Sequence, residues 1–433
     1  MKNWSTIKIS ELSDKNIENS FVDGDWIESE HIINEGIRII QTGNIGIGRY
    51  IDKTDSKKFI SYISFNQLKC KKVLPGDLLI CRLADPIGRC CIVPNDEEYY
   101  VTVVDVVILR PNSNHLPNFL LYFLNDANVL KAANDKAAGS TRQRVSRTNF
   151  GKLEITIPPY QEQTMIAEIL FTADEAIEQT EKLIAKYQRI KTGLMQDLLT
   201  RGIDKQGNVR NKATHKFVVK NGIEVPEEWD VISIQDFASK KKYAIVDGPF
   251  GSNLKIIHYR SSGVPVIQSG FVTANKFVAK EYLFVDKEKL EQEIRSKVEP
   301  GDIVMAKIGA NCGTCAILPD DHPISIIAGN CLKITVGNNN SNRYLEILLH
   351  FLYDYRKFDD IKSTTAQPAI SMAQLKEYKI AQPSKDEQLK IVNILDSIDA
   401  TIADTNDNLS KIISIKTGLM QDLLSGRVRV KVE

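Results

Sequence analysis

Ile190-Lys191-Thr192-Gly193-Leu194-Met195-Gln196-Asp197-Leu198-Leu199 recurs without change from Ile415 to Leu424, an offset of 225 residues. Carried backwards, that offset pairs Glu162-Gln163 with Glu387-Gln388, Ile166 with Ile391, Asp174 with Asp399, Pro158 with Pro383 and Ser146 with Ser371. Gly88 with Gly313, Pro75-Gly76-Asp77 with Pro300-Gly301-Asp302, and Trp4 with Trp229 follow without a gap. The chain is one unit written twice.

Each unit has two unlike parts. Up to about residue 157, and again to 382, short β-branched runs such as Asp77 to Cys81 alternate with Gly, Pro and Asn punctuation, which predicts mixed α+β heads. After Pro158-Pro159 and after Pro383 the pattern becomes helical. Ile391, Leu395, Ile398, Ile402, Thr405, Leu409 and Ile412 step alternately by four and three, and Ile166, Leu170, Ala173, Ile177, Thr180, Ile184 and Tyr187 do the same. That is a heptad seam. A helix of roughly 40 residues is about 60 Å long and needs a partner helix. Its own repeat mate, antiparallel to it, is the simplest one. The predicted fold is therefore α+β: two pseudo-two-fold-related mixed α/β domains separated by two long antiparallel helices forming a coiled coil, a dumbbell on a strut. The expected boundaries are 1–157 for the first head, 158–205 for the central helix, 206–382 for linker and second head, and 383–433 for the last helix. Residues 201 to 225, polar and Gly/Asn-rich, read as an exposed return connection.

The 433 residues carry 56 Lys+Arg against 55 Asp+Glu, an ordinary globular balance that excludes a bulk polycation. Seven Cys at irregular spacing predict a reducing cytoplasm rather than a disulfide framework. Met1 to Thr6 lacks an apolar h-region, and the run Val101 to Leu109 is short and broken by Asp105, so neither an export signal nor a membrane span is predicted. The charge is unevenly placed: residues 161–200 and 385–424 each hold seven acids and four bases, leaving +7 on the remainder. Bases gather at Arg142, Arg144 and Arg147, at Lys53, Lys57 and Lys58, and at Lys240 to Lys242. Any one cluster reads as a solvated face. Two basic heads beside acidic helices point to phosphate contacts.

Between Leu12 and Leu74 the heads share little beyond Gly36 to Gly43 and Gly263 to Gly270, reached by shifting the offset to 227. Heads that diverged on matching helices suggest two different half-sites held at a fixed spacing. The candidate DNA contacts are Gln41, Arg49, Arg142, Arg144 and Arg147 in the first head, and Lys241, Lys242, Gln268 and Lys276 in the second, being Arg, Lys and Gln in punctuated loops or at strand ends. Candidate partner-binding positions on the helices are Ile169, Leu194, Met195, Leu198, Leu199, Ile394, Leu419, Met420, Leu423 and Leu424, with packing against the heads as the alternative.

The duplicated head-plus-helix layout, Pro-Gly-Asp-(Leu/Ile)-(Leu/Val) at 75 and 300, the Ile-x-x-Pro tract leading to Glu-Gln-x-x-Ile at 155–166 and 380–391, and Gly-Leu-Met-Gln-Asp-Leu-Leu at each helix end together resemble the specificity subunit of Type I restriction-modification systems. The resemblance covers essentially the whole chain. It implies a non-catalytic DNA reader in which two target-recognition domains contact a bipartite asymmetric site. It also implies a helical spacer that docks two methyltransferase subunits bringing S-adenosylmethionine, with translocase-nuclease subunits using ATP and Mg in the full complex. No cofactor is expected on this chain. One departure is that Ser-Thr-Arg-Gln at 140–143 becomes Thr-Ala-Gln-Pro at 365–368, so no single contact pattern carries to both heads.

Other chemistry finds little support. Ile157-Pro158-Pro159-Tyr160 is like an amino-methyltransferase motif, but Ile157 cannot accept the amine's hydrogen bond. A strand end and helix start fits better. Gly43 to Gly48 is too loose for a phosphate loop. Cys312 and Cys315 have the spacing of half a zinc site, with Cys331 or His322 as further ligands, yet the mate of Cys312 is Ile87, which favours buried strand cysteines. A metal-dependent nuclease would need an acidic-Lys motif, which is missing. A pure coiled-coil adaptor would leave the basic heads unexplained.

Overall fold

A computed structural model describes residues 3–83, 86–139, 142–273, 276–278, 280–363 and 367–431. The Ser-Thr-Arg-Gln and Thr-Ala-Gln-Pro stretches lie partly outside the described residues. By contacts the chain forms two units, Met1–Lys182 with Asn406–Glu433, and Leu183–Thr405. Each is therefore built from both repeats, taking one head and a portion of both long helices.

The first head centres on a four-stranded antiparallel sheet in the order Phe21–Asp23, Val106–Leu109, Leu78–Cys81, Cys90–Ile92. Period-two alternation divides its side chains between two cores. Leu78, Ile80, Val107 and Leu109 pack with Phe119, Leu120 and Phe123 of the helix Pro117–Leu124, whereas Leu79, Cys81, Val106 and Ile108 pack with Ile40, Val73 and Tyr100. Covered on both faces, these strands read as unbroken apolar runs. The turn ahead of Leu78 is closed by Asp77, whose carboxylate accepts from the Leu74 amide at 2.8 Å, and Gly76 supplies a φ of +87°.

The second head repeats the plan with Ile245–Asp247, Cys331–Ile334, Ile303–Ala306 and Cys315–Ile317. Ile303 and Met305 face one core, Val304 and Ala306 the other. In both heads a second sheet contains one parallel pair, Ile37–Ile40 beside Val101–Thr102 and Val264–Ile267 beside Ser325–Ile327. Its margins differ only in extent: the strand pair Ile32–Ile33 with Phe59–Ile60 in the first head is a single bridge, Arg260 to Phe284, in the second. Conversely, Lys297–Val298 pairs with Ser325–Ile327 where the first head has one bridge, Val73 to Tyr100. The divergent segment thus keeps one topology. Each head is closed by its first and last strands, Ser5–Lys8 with Glu154–Ile157 and Asp230–Ser233 with Lys379–Gln382.

The long helices are Tyr160–Thr200 and Lys385–Leu424. Every position of both predicted seams is buried or half-buried. Within the first unit, contacts run from Glu162 with Arg429 to Asp174 with Lys416; within the second, from Lys191 with Asp399 to Ile203 with Glu387. As one residue number rises its partner's falls, so the helices are antiparallel in each unit. Asp174–Lys416 and Lys191–Asp399 are the same pair with the repeats exchanged, as two copies of one interaction require.

Two expectations change. Residues 201–225 are more than an exposed connection: Ile203, Arg210 and Val225 are buried, and Phe217–Lys220 pairs with Ile223–Pro226 as a hairpin. The Leu-Leu helix ends are also spent internally. Leu198 and Leu199 are buried in the core of the second unit and Leu423 and Leu424 in that of the first, with Leu194, Met195, Ile394, Leu419, Met420 and Ile169 packed half-covered against the same cores. The reason is geometric: the end of each helix passes over a head whose own apolar face would otherwise meet water.

Candidate nucleic-acid interface

The motif residues that repeat most strictly lock each head to its helix. Glu162 accepts from the Trp4 indole at 3.1 Å and from Arg429 at 2.6 and 2.7 Å. Glu387 accepts from the Trp229 indole at 3.1 Å, from Arg210 at 2.5 Å and from the Ile203 amide at 2.9 Å. Gln163 accepts from the Leu116 amide at 2.9 Å and donates to the Pro158 carbonyl at 2.9 Å, and Gln388 does the same with Ser341 at 2.8 Å and Pro383 at 2.9 Å. These groups are consumed by folding. Ile157 ends a strand and Tyr160 opens the helix, which accounts for Ile-Pro-Pro-Tyr.

The candidate DNA contacts fall into three kinds. Gln41 and Gln268 are equivalent: each follows the inner parallel strand and is half-buried at its carboxyl end, the Gln41 backbone N–H donating to the Asn44 side-chain oxygen at 2.9 Å. Arg49, Arg142, Lys241, Lys242 and Lys276 are exposed on loops, with the Lys242 ammonium 4.8 Å from the centre of the Tyr243 ring. Arg144 and Arg147 are already engaged, Arg144 with Asp105 at 3.3 Å and Arg147 with Asp23 at 3.8 Å.

Those two acids belong to an internal node that sequence reasoning missed. Arg82 is buried, its Nε 2.9 Å from Asp23, and it donates to the carbonyls of Val145 at 2.9 Å and Val104 at 2.7 Å. Its repeat mate Lys307 meets Asp247 at 2.7 Å, and Arg295 reaches the same carboxylate at 2.8 Å. The available signal was Val22-Asp23-Gly24 against Val246-Asp247-Gly248, hidden by a one-residue change of offset. Arg89, also missed, donates to the carbonyls of Ile45 at 2.7 Å and Thr42 at 3.1 Å and so pins the Gly-rich turn.

The described residues hold no group of three or more His, Cys, Asp or Glu placed to bind a metal, and no helix among them is long and apolar enough to cross a membrane. Cys312 and Cys315 lie in the core of the second unit, where burial pushes both thiols above the usual cysteine range.

A sequence profile described as the Type I restriction modification DNA specificity domain matches residues 1–188 and again 226–413. The putative type I restriction enzyme MjaX specificity subunit of Methanocaldococcus jannaschii is 26% identical over 376 residues, 83% of this chain and 80% of that one. The EcoKI specificity subunit of Escherichia coli is 20% identical over 92% of this chain and 83% of its own. Among solved structures, the HsdS subunit of Thermoanaerobacter tengcongensis aligns over 99% of this chain and 98% of that one at a TM-score of 0.55 and 15% identity. A chain from a study of complex assembly and conformational transition in a type I R-M system covers 98% of each at 0.61 and 15%. At such identities the structures speak for the fold alone.

Proposed function

The chain belongs to the Type I restriction-modification DNA specificity family, and we propose that each of its heads reads one part of a bipartite, asymmetric duplex site. It is a DNA sequence-recognition subunit and not itself a catalyst. The observation that carries the division of labour is the repeat: heads of one topology with unlike surfaces, on helices that match. In this reading residues 1–157 and 206–382 are the readers, and 158–205 and 383–433 the spacer. Two methyltransferase subunits dock on that spacer and bring S-adenosylmethionine for adenine methylation, and translocase-nuclease subunits bring ATP and Mg, all in the cytoplasm. Two copies of one partner require two copies of one surface. With the Leu-Leu ends buried, the repeat-related exposed apolar pair Ile190 and Ile415, 39% and 60% exposed, suits that role better, flanked by half-covered Leu194, Met195, Leu419 and Met420.

Methylome sequencing with and without this gene tests the reading by returning a two-part motif. Purified with its methyltransferase subunit and S-adenosylmethionine the chain should direct adenine methylation, and robust transfer by the chain alone would overturn the assignment. Lys241→Ala with Lys242→Ala should weaken binding evenly across sequences and lower the salt slope by about one for each phosphate no longer neutralised, whereas a base-reading residue such as Gln268 should relax one position. Ile190→Asp with Ile415→Asp should cost methyltransferase subunits in native mass spectrometry while the heads still bind DNA.

A further inference from the structure

In each head a short elbow holds one aromatic ring out in solvent. Val22-Asp23-Gly24 and Val246-Asp247-Gly248 end the outer strand of the antiparallel sheet, and two residues on stand Trp26 and Phe250. Both elbows are built rather than loose. A Cβ on Gly24 would lie 2.3 Å from the Val103 carbonyl oxygen, and one on Gly248 would lie 2.1 Å from that of Ala328, so only glycine lets the chain pass so close. The preceding aspartates are anchored by Arg82 in one head and by Lys307 and Arg295 in the other. Yet Trp26 is 71% exposed and Phe250 48%. The other two tryptophans are the indoles held by Glu162 and Glu387.

Both elbows lead to the carboxyl ends of the parallel strand pair. The Asp25 amide donates to the Thr102 carbonyl at 2.8 Å, and the Thr102 hydroxyl donates to Ile40, next to Gln41, at 2.9 Å. In the second head the Ala328 amide donates to Ile267, next to Gln268, at 2.8 Å. The Phe250 ring lies against Gly329, 2.8 Å from where a Cβ would stand, and Lys307 sits 4.8 Å from its centre. An exposed lysine stands over the equivalent glycine in each head, Lys53 over Gly43 in the first and Lys280 over Gly270 in the second, 2.7 and 3.7 Å from where a Cβ would stand. One edge of each head therefore offers an amide, a flat apolar ring and basic groups. A duplex matches that set: base edges for the amide, phosphates for the bases, and a thymine methyl or opened base step for the ring.

We propose that Trp26 and Phe250 are equivalent DNA-contacting residues of the two heads, each pressing its ring on the bases of its own half-site. This rests on the reading of the chain as a DNA specificity subunit. The test uses the complex with its methyltransferase subunit and a synthetic duplex carrying the motif recovered from the methylome. Trp26→Ala and Phe250→Ala should each lose about tenfold or more in affinity with an unchanged salt slope, because stacking releases no counterions. Trp26→Phe and Phe250→Tyr, which keep a ring, should retain most of the affinity. Each alanine variant should relax one part of the motif and leave the other intact, and DNA should quench an indole signal that Trp26→Phe removes. Variants that unfold at the same temperature as the parent and bind within twofold of it would overturn the proposal, as would a loss that lowers the salt slope. If the parent complex itself showed no preference for the motif, the specificity reading would fail instead.

Discussion

Position 119 is phenylalanine and its repeat mate 344 is tyrosine, and both are completely buried. Position 125 is asparagine and its mate 350 is histidine, and both bond to the backbone of the equivalent cysteines. Asn125 satisfies the amide and the carbonyl of Cys90 at 3.0 Å each, whereas among the described residues His350 meets the Cys315 carbonyl at 2.9 Å and not its amide. The Glu lock differs likewise. Arg210, on the segment after the first long helix, is buried, while Arg429, on the tail after the second, keeps 39% of its side chain in water. One fold has thus been satisfied twice by different side chains. Backbone geometry sets which atoms need partners, and several side chains can supply each one.

The two Glu locks should respond unequally to truncation. Glu387→Ala leaves the buried Arg210 guanidinium with only the Arg201 carbonyl at 3.2 Å and the exposed Glu228 at 4.0 Å, and should cost the second unit about 3 kcal/mol in denaturant unfolding. Glu162→Ala should cost the first unit clearly less, because Arg429 can turn to water. Equal losses would mean that exposure is not what separates the two locks.

The aromatic mates should not be interchangeable. Phe119→Tyr places a hydroxyl in a closed core and should destabilise the first unit by about 1 to 3 kcal/mol, read from its unfolding midpoint.

Burial lowers the pKa of His350, so the unfolded chain takes up the proton first. Its contribution is present above the ordinary histidine value near 6.5 and is lost as pH falls from there through the depressed folded pKa, with a slope of at most about 1.4 kcal/mol per pH unit for one proton. His115 in the first unit is shifted the same way by burial. His350→Asn, which borrows the solution at position 125, should flatten only the share of the second unit. An unaltered stability profile between pH 7 and pH 5 would remove His350 from the account.

The smallest effect is expected from the reverse exchange. The Tyr344 hydroxyl has no hydrogen-bond partner among the described residues, so Tyr344→Phe should be neutral or stabilising by up to about 1 kcal/mol. A clear loss of stability would reveal a partner for that oxygen.

How much of this was legible follows from the range of each interaction. The repeat, the presence of two long helices and their heptad seams depend on neighbours within a few residues, so periodicity and an unchanged ten-residue string determined them from sequence alone; helix length called for a partner and the two-fold relation of the repeats made it antiparallel, whereas the points where the helices stop, Thr200 and Leu424, were not legible. The tertiary structure decided how individual side chains are used. Arg144 and Arg147 looked like free bases, but their acids lie 39 and 124 positions away in sequence, at Asp105 and Asp23. Leu198, Leu199, Leu423 and Leu424 looked like spare apolar surface until the heads that cover them were in place. The shared elbow of the heads was hidden by a single change of offset, which leaves strand topology intact but defeats a linear match. Local pattern determined the elements, and the long-range approach of charges and apolar faces decided which residues remain to meet DNA, because burial and pairing depend on distance in space.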